Sequence, residues 1–399
     1  MQRYDAQMKT PSMLSPTAYM LGGKAPQRVA QPATIADVAT IVTEAARTQT
    51  AVAIWGAGTR QFVVNPPQRY DLALDLRCLT RVVEYQPADL VVTFEAGCPL
   101  EAAQAVLAEH GQWLPWDPPV SATATIGGLL ATAAWGPLRL GYGGPREWLL
   151  GMQVVLGDGR IVHSGGRVVK NVAGYDTHKL HLGACGTLGV IVAATFKVAP
   201  LPEYKASLQA TFPTLAAAFQ AAAAIRQPPL QPVALTIRLT DAVKLIARFA
   251  GVATAVERQL AQAIAICSQT GEVTNCADDQ HLWESLYLIP AVDDLLLRIG
   301  VPDDKLAAAV EAVRLAAPPD LAIFPGLGLL IARWPVTVVD NLATLRQTLA
   351  IAGGYVVVEH SPVGIDRWGP PPPNIDLMRS LRQRWDPAGI LNPGRWMVA

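Results

Sequence analysis

Three glycine-rich segments, each joined to a strand and all before residue 200, constrain this 399-residue chain more than any other feature. The first, Trp55-Gly56-Ala57-Gly58-Thr59, follows directly from an apolar strand at residues 51–55. Glycines there let consecutive backbone N–H groups converge on phosphate oxygens with no Cβ in the way. The Gly-x-Gly-x-x-Gly fingerprint of a Rossmann loop is not met, because position 61 is Gln. Taken alone, this loop reads more simply as a tight turn. The second segment is Thr123-Ala124-Thr125-Ile126-Gly127-Gly128, followed by Leu129-Leu130-Ala131-Thr132 and, further on, Gly136-Pro137 and Gly141-Tyr142-Gly143-Gly144. Small residues let backbone approach a flat ligand, and threonine hydroxyls can donate to phosphate or carbonyl oxygens. The third, Gly183-Ala184-Cys185-Gly186-Thr187-Leu188-Gly189-Val190-Ile191, runs from a loop into a β-branched strand. One such segment is a turn. Three favour a large, phosphate-containing cofactor, although the residues alone do not say which one.

The elements between these loops are legible from periodicity. Ile35, Val38, Val42 and Ala45 repeat at helical spacing behind Thr34, a good N-cap. Strands at 82–85 and 90–95 flank a Pro87-Ala88-Asp89 turn, and a helix beginning near Pro99 stops before Gly111. Gly157-Asp158-Gly159 between 154–156 and 160–163 signals a hairpin. After Pro200 and Pro202 the texture changes. Ala-rich helices at 214–225 and 254–267 alternate with strands at 233–238 and 244–250, and a similar pattern recurs from 295 to 333. The boundaries read from this are an N-terminal arm at 1–25, a first domain at 26–202, an α+β domain at 203–370, and a C-terminal segment at 371–399. That last segment pairs a basic helix with an Asp386-Pro387 break. It ends in Leu391-Asn392-Pro393-Gly394, a turn too specific for a frayed tail. The arm reads as loosely packed.

Composition excludes several classes. With 32 basic and 32 acidic residues and no run of either sign, the chain lacks the clustered cations of a nucleic-acid surface. No stretch approaches the ~18 apolar residues of a membrane span, and no signal peptide is visible. The expectation is a cytoplasmic protein that meets a membrane only through partners. Five scattered cysteines, with no Cys-x-x-Cys, fit neither a disulfide framework nor an iron–sulfur site. They read as buried thiols.

Together these segments resemble the FAD-binding domain of vanillyl-alcohol-oxidase-type and p-cresol-methylhydroxylase-type (PCMH-type) flavoproteins. The resemblance covers about 28–202 and resumes at 386–394. Within that group the likeness is to the FAD-binding subunits of bacterial glycolate oxidase. It rests most on Gly166-Arg167-Val168-Val169-Lys170-Asn171-Val172-Ala173-Gly174-Tyr175-Asp176, which leads into Leu180 and Gly186-Thr187-Leu188-Gly189. The fold it implies is α+β: a two-subdomain PCMH-type FAD-binding domain, an α+β cap domain, and a C-terminal segment returning to the FAD domain.

The resemblance also implies roles. Trp55, Gly56, Ala57, Gly58 and Thr59 would form the pyrophosphate loop. Trp55 stands where many relatives have Arg, and Arg60 is the substitute phosphate contact. Thr123, Ala124, Thr125, Ile126, Gly127, Gly128, Ala131, Thr132 and Gly136 would line the flavin and ribityl region. Gly186, Thr187, Val190 and Ile191 would run beside the cofactor, the last two near the adenine. Many relatives link flavin covalently to a His in the first or second segment. Here the first loop ends in Thr59 and no His lies between 111 and 162, so the FAD is expected to be non-covalent.

Oxidising a 2-hydroxy acid requires a cation for the carboxylate and a base for the hydroxyl proton, both near flavin. The region after 202 offers His281 and His360, far apart in sequence, with Asp278, Asp279 and Glu359 nearby and no metal-ligand spacing. No metal is expected. Arg298 and Lys170 are the better candidates for anion contacts, each as easily a solvated face or a structural ion pair. His281 and His360 read first as surface or structural residues, with His360 the weaker catalytic candidate beside Arg298. Tyr175 and Asp176 read as fasteners of a loop over the cofactor. The resemblance therefore implies a flavin-carrying subunit of a complex that oxidises glycolate. A larger FAD-containing catalytic subunit and an iron–sulfur subunit would be its partners. A self-sufficient FAD-dependent dehydrogenase for a 2-hydroxy acid or sugar lactone, and a structural subunit without cofactor, stay open.

Overall fold

The computed structural model describes residues 15–119, 122–166, 174–275, 279–317 and 320–397. Lys170, Cys276 and Asp278 lie outside them, as does the side chain of His281. The chain divides into two compact units. The first comprises residues 1–134, 144–201 and 371–399, and the second comprises 135–143 and 202–370.

In the first unit the helix Ile35–Arg47 starts at a capping box. The Thr34 hydroxyl accepts from the Asp37 N–H at 3.1 Å, and the Asp37 carboxylate accepts from the Thr34 N–H at 2.9 Å. Its apolar stripe of Val38, Val42 and Ala45 is fully buried against a three-stranded parallel sheet ordered Arg28–Ala30, Leu72–Asp75, Val52–Trp55. The middle strand is buried along its whole length, as a parallel strand covered on both faces must be. A five-stranded antiparallel sheet follows, ordered Val82–Gln86, Val91–Glu95, Val190–Lys197, Leu149–Val155, Ile161–Gly165. The helix Leu100–Ala108 buries Leu100, Ala103 and Leu107, and Pro99 is its N-cap. The Gly157-Asp158-Gly159 hairpin forms as the sequence predicts.

Two features differ from the sequence reading. The arm is packed at its end: Tyr19 and Leu21 are buried, and the Tyr19 hydroxyl donates to Asp75 at 2.7 Å. The 135–143 stretch belongs with the second unit, where the Trp135 ring meets Phe324 edge-on at 5.0 Å and the Gly141 N–H donates to Val233 O at 3.0 Å.

The second unit is one eight-stranded antiparallel sheet. Its order is Glu272–Asn275, Tyr204–Phe212, Val243–Gly251, Ala234–Leu239, Leu321–Phe324, Leu329–Pro335, Asp294–Gly300, Tyr355–His360. In chain order this is two strand–helix–strand–strand–helix–strand repeats, each of the ferredoxin-like kind, joined edge to edge at Ala234–Leu239 and Leu321–Phe324. Helices Leu215–Ile225, Ala253–Cys267, Leu306–Ala316 and Asn341–Ile351 share one core with alternate strand residues such as Leu208, Ile237, Ala247, Leu297, Ile323 and Trp334. The four helices therefore cover one face. No helix among the described residues is long and apolar enough to cross a membrane.

Candidate cofactor site

The three glycine segments meet in one pocket of the first unit. Two contacts show how closely. A Cβ on Gly56 would run into the Thr125 side chain, so the backbone of the first segment packs directly on a side chain of the second. A Cβ on Gly127 would lie 2.8 Å from Ala96 Cβ and 3.1 Å from Ala96 O, so the second segment rests directly on the strand end behind it. Any side chain at these positions would pry the segments apart. Gly186 of the third segment sits against Ile54 and Asn392. The wall between them is mainly apolar and backbone, with Thr59, Arg60, Gln61, Thr125, Thr132, Asn392 and Arg395 as its polar side chains. Such a cradle takes a flat, extended ligand whose phosphates meet backbone N–H groups.

Trp55 lines this space, and its ring is held by the N-terminal arm and Tyr70. Its indole N–H donates to the Tyr70 hydroxyl at 2.8 Å, which donates to Tyr19 O at 2.8 Å, and its ring meets Tyr19 edge-on at 5.0 Å. A Cβ on Gly58 would be 2.9 Å from the Trp55 ring, so the indole backs the glycine turn from behind. The Tyr19 hydroxyl in turn faces Asp75, which also holds Arg77 at 2.7 Å. Burial, helped by Asp75, pushes the Tyr19 hydroxyl up to about 12, and burial does the same to Tyr70. Both stay protonated at neutral pH and keep their donor roles. The aromatic at 55 is thus a prop for the loop.

The C-terminal segment completes the pocket with residues absent from the sequence-based set. After the helix Ile375–Trp385, the buried Asp386 carboxylate accepts from the N–H groups of Ile390 at 3.1 Å and Leu391 at 3.0 Å. This turns residues 390–392 alongside Val52 as a short parallel addition to the sheet: Val52 N–H donates to Ile390 O, and Asn392 N–H to Val52 O, both at 2.8 Å. The Asn392 side chain then accepts from Ile54 N–H at 3.3 Å and donates to Cys185 O at 2.8 Å, tying the first segment to the third. Arg395 donates to the Gln61 side chain at 2.5 Å and to Gln61 O at 2.8 Å, closing the end of the first loop. Asn392 and Arg395 both line the pocket. The signal was the Leu391-Asn392-Pro393-Gly394 turn; the partners it serves lie more than 200 residues away.

Of the residues the sequence singles out, the pocket gathers Trp55, Gly56, Ala57, Gly58, Thr59, Arg60, Thr125, Gly127, Gly128, Ala131, Thr132, Gly186 and Ile191. Thr123, Ala124, Ile126, Thr187 and Val190 do not line it. Ala124, Ile126 and Val190 face cores, and the buried Thr187 hydroxyl donates to Ala184 O at 2.7 Å. Gly136 falls in the second unit. Ile54, Gln61, Val64, Leu76, Ala96 and Cys185 line the pocket without having been singled out. Tyr175 is 93% exposed and Asp176 pairs with Lys179 at 2.6 Å, so both are surface residues. In the second unit Arg298 is paired to Glu359 at 2.8 Å and reaches the Tyr355 hydroxyl at 3.3 Å. His360 ends the neighbouring strand, where burial, with Arg367 adding, holds its pKa below the usual imidazole value. Among the described residues no group of three or more His, Cys, Asp and Glu could hold a metal ion. Cys98, Cys185 and Cys267 are buried and in no disulfide, and Cys78 is half-buried.

Comparison with known proteins bears on the whole chain. Residues 26–165 match the FAD binding domain family, and residues 201–316 and 368–396 match the C-terminal domain of FAD linked oxidases. The chain is 31% identical over 361 residues to "Glycolate oxidase subunit GlcE" of Escherichia coli (strain K12), spanning 89% of this chain and 95% of that one. It is 27% identical to "Glycolate oxidase subunit GlcD" of Bacillus subtilis (strain 168), spanning 93% and 88%. Among solved structures, an alkyldihydroxyacetonephosphate synthase superposes with a TM-score of 0.71 at 18% identity, over 94% of this chain and 78% of that one. At that identity the likeness is one of fold. The chain belongs to the FAD-linked oxidases: it is an α+β flavoprotein oxidoreductase with a PCMH-type FAD-binding domain, a C-terminal domain of the FAD-linked oxidase type, and FAD as its cofactor.

Proposed function

We propose that this chain is the FAD-binding subunit of a multi-subunit glycolate oxidase that converts glycolate to glyoxylate. In the complex a larger FAD-containing subunit carries the catalytic centre and an iron–sulfur subunit takes the electrons. The observation that carries the reading is the match to the GlcE subunit over nearly all of both chains. When bound, FAD supplies an acceptor for the hydride of the carbon bearing the hydroxyl. The chain's own part is to hold it. Backbone N–H groups of Gly56 to Arg60 would take the pyrophosphate, Thr125 with Gly127 and Gly128 would pass the chain of the cofactor, and Gly186 and Ile191 would flank it. Asn392 and Arg395 fix the loops that do this. Among the described residues that line the pocket none is a histidine, in keeping with the non-covalent reading.

The purified chain alone is expected to show flavin absorbance, to release that flavin into the supernatant on acid precipitation, and not to bleach with glycolate. Co-expression with the larger subunit should restore glycolate-driven reduction of an artificial acceptor. Robust turnover by the isolated chain would overturn the subunit reading.

One feature favours a second reading, a self-sufficient 2-hydroxy-acid dehydrogenase. Arg298, Glu359 and His360 sit on adjacent paired strands, putting a cation, a carboxylate and an imidazole in one patch of sheet. Arg298→Ala and His360→Ala would each abolish turnover by the isolated chain on this reading, and leave flavin binding intact on either.

A further inference from the structure

A second cavity in the first unit, of about 160 Å³, lies between the hairpin Leu149–Val155/Ile161–Gly165, the turn Thr177–Leu180 and the end of the C-terminal helix. One side is aliphatic, formed by Met152, Val154, Leu156 and Val162. The polar lining is His163, Ser164, Thr177, His178 and His181, and Trp385 also lines the cavity. His178 is 2% exposed, and its Nε2 has no hydrogen-bond partner.

The hydrogen bonds around Ser164 fix what that nitrogen offers. The Ser164 hydroxyl oxygen accepts from Thr177 Oγ1 at 2.8 Å and from the His178 N–H at 2.9 Å, which occupies both of its lone pairs. Its proton is therefore left for His178 Nδ1, 3.1 Å away. With Nδ1 accepting, the neutral ring carries its proton on Nε2, a buried donor with nothing to donate to. Burial holds the His178 pKa below the usual imidazole value, which keeps the ring neutral at pH 7. Leaving such a donor unmet forfeits its hydration with nothing in return, so a partner is the expected state.

Size and lining say what the partner is. Among the described residues the lining holds no Lys, Arg, Asp or Glu, so these residues offer nothing to neutralise a charged ligand. A cavity of about 150 Å³ accommodates a ring the size of benzene. A cavity of this size has room for more than a lone water, and its aliphatic wall offers water nothing to bond. His181, stacked on Trp385 at 4.9 Å with the planes 10° apart, adds a flat surface for an apolar body. We infer that this cavity is a second binding site, for a small uncharged carbonyl compound whose oxygen accepts from His178 Nε2 while its hydrocarbon body lies on Met152, Val154, Leu156 and Val162. The site is separate from the cofactor cradle but shares a wall with it. Gly189 lines the cradle, and a Cβ there would lie 3.3 Å from His181 Cε1.

The test uses the full-length, FAD-loaded chain and two probes of one shape: cyclohexanone, and methylenecyclohexane, which lacks the acceptor. Saturation-transfer NMR titrations should show cyclohexanone binding roughly three- to tenfold more tightly, the worth of one buried hydrogen bond. His178→Phe, which fills the cavity and removes the donor, should abolish binding of both probes. His178→Gln, which keeps an N–H donor, should retain the preference, and the flavin absorbance of each variant reports that its fold is intact. Should neither probe bind, the cavity houses ordered water only and the inference fails. Equal affinity for the two probes, or binding that survives His178→Phe, would also overturn it.

Discussion

At the residue scale the pocket depends on what is missing from two positions and on what props a third. Gly127 has Ala96 where its Cβ would be, so Gly127→Val should separate the second segment from the strand behind it. Overpacking of this kind costs about 1–3 kcal/mol, and here the cost falls on the cradle itself. The expected result is at least about a tenfold loss of FAD affinity, read by fluorescence titration of the apoprotein. Trp55→Phe is a milder change. It keeps a ring against Gly58 and Tyr19 but leaves the Tyr70 hydroxyl without its indole donor, so about 1 kcal/mol of stability should go while flavin stays bound. The buried His181 gives a pH signature. Burial, with His178 adding, lowers its pKa to about 4 from 6.5. Between those values the unfolded chain takes up a proton that the folded chain refuses, so stability is full above pH 6.5 and falls as the pH drops toward 4. By pH 5 the loss should be about 2 kcal/mol from this group, with His178, faced by Asp176, Lys179 and Arg146, adding in the same direction. Urea midpoints at pH 7 and pH 5 check it, and His181→Phe, which keeps the stack on Trp385, should flatten that part of the profile.

At the element scale the C-terminal segment is the brace. Asp386 is buried and accepts two backbone N–H groups that point residues 390–392 along Val52. Asp386→Ala leaves both donors unmet, a cost of about 2 kcal/mol or more, and releases the segment that carries Asn392 and Arg395. Asn392→Ala removes the tie between Ile54 and Cys185 alone. Both variants should bind FAD more weakly, with Asp386→Ala the weaker binder, and equilibrium dialysis separates them. These same residues mark how far local sequence carries. The first and third glycine loops were readable because each lies at a strand end, whereas the second, expected beside a strand, instead opens the helix Ile126–Ala131 with Thr125 as its N-cap. The helix at 35–47 was readable because its cap and stripe are both local. Asn392 bonds Ile54 across 338 residues, and no spacing rule connects them. Gly136 was misplaced for a related reason: the chain crosses to the second unit between Ala134 and Trp135, and the anchor that takes it there is Phe324. In the second unit the recurring strand–helix pattern was visible, whereas Leu321–Phe324 and Tyr355–His360 were not, because short buried strands lack alternation.

At the scale of the whole molecule, the long excursion into the second unit runs from residue 202 to 370, so the elements that close the cofactor pocket follow it in chain order. Loops at 56–61 and 183–189 are held in place by residues 390–395, and FAD would touch all three. A ligand bound only by the folded state stabilises it by mass action, about 2.7 kcal/mol at a free concentration one hundred times its Kd. Hydrogen exchange of the apoprotein and the FAD-loaded protein should therefore differ most at these three separated stretches, with about a hundredfold slower exchange where opening requires the pocket to come apart. Helices such as Ala253–Cys267 and Leu306–Ala316, whose core contains no residue of the pocket, serve as the internal reference. The three stretches should gain protection together and at one FAD concentration. Protection that rose at 56–61 without rising at 390–395 would mean that the C-terminal turn packs on the sheet without bracing the cofactor.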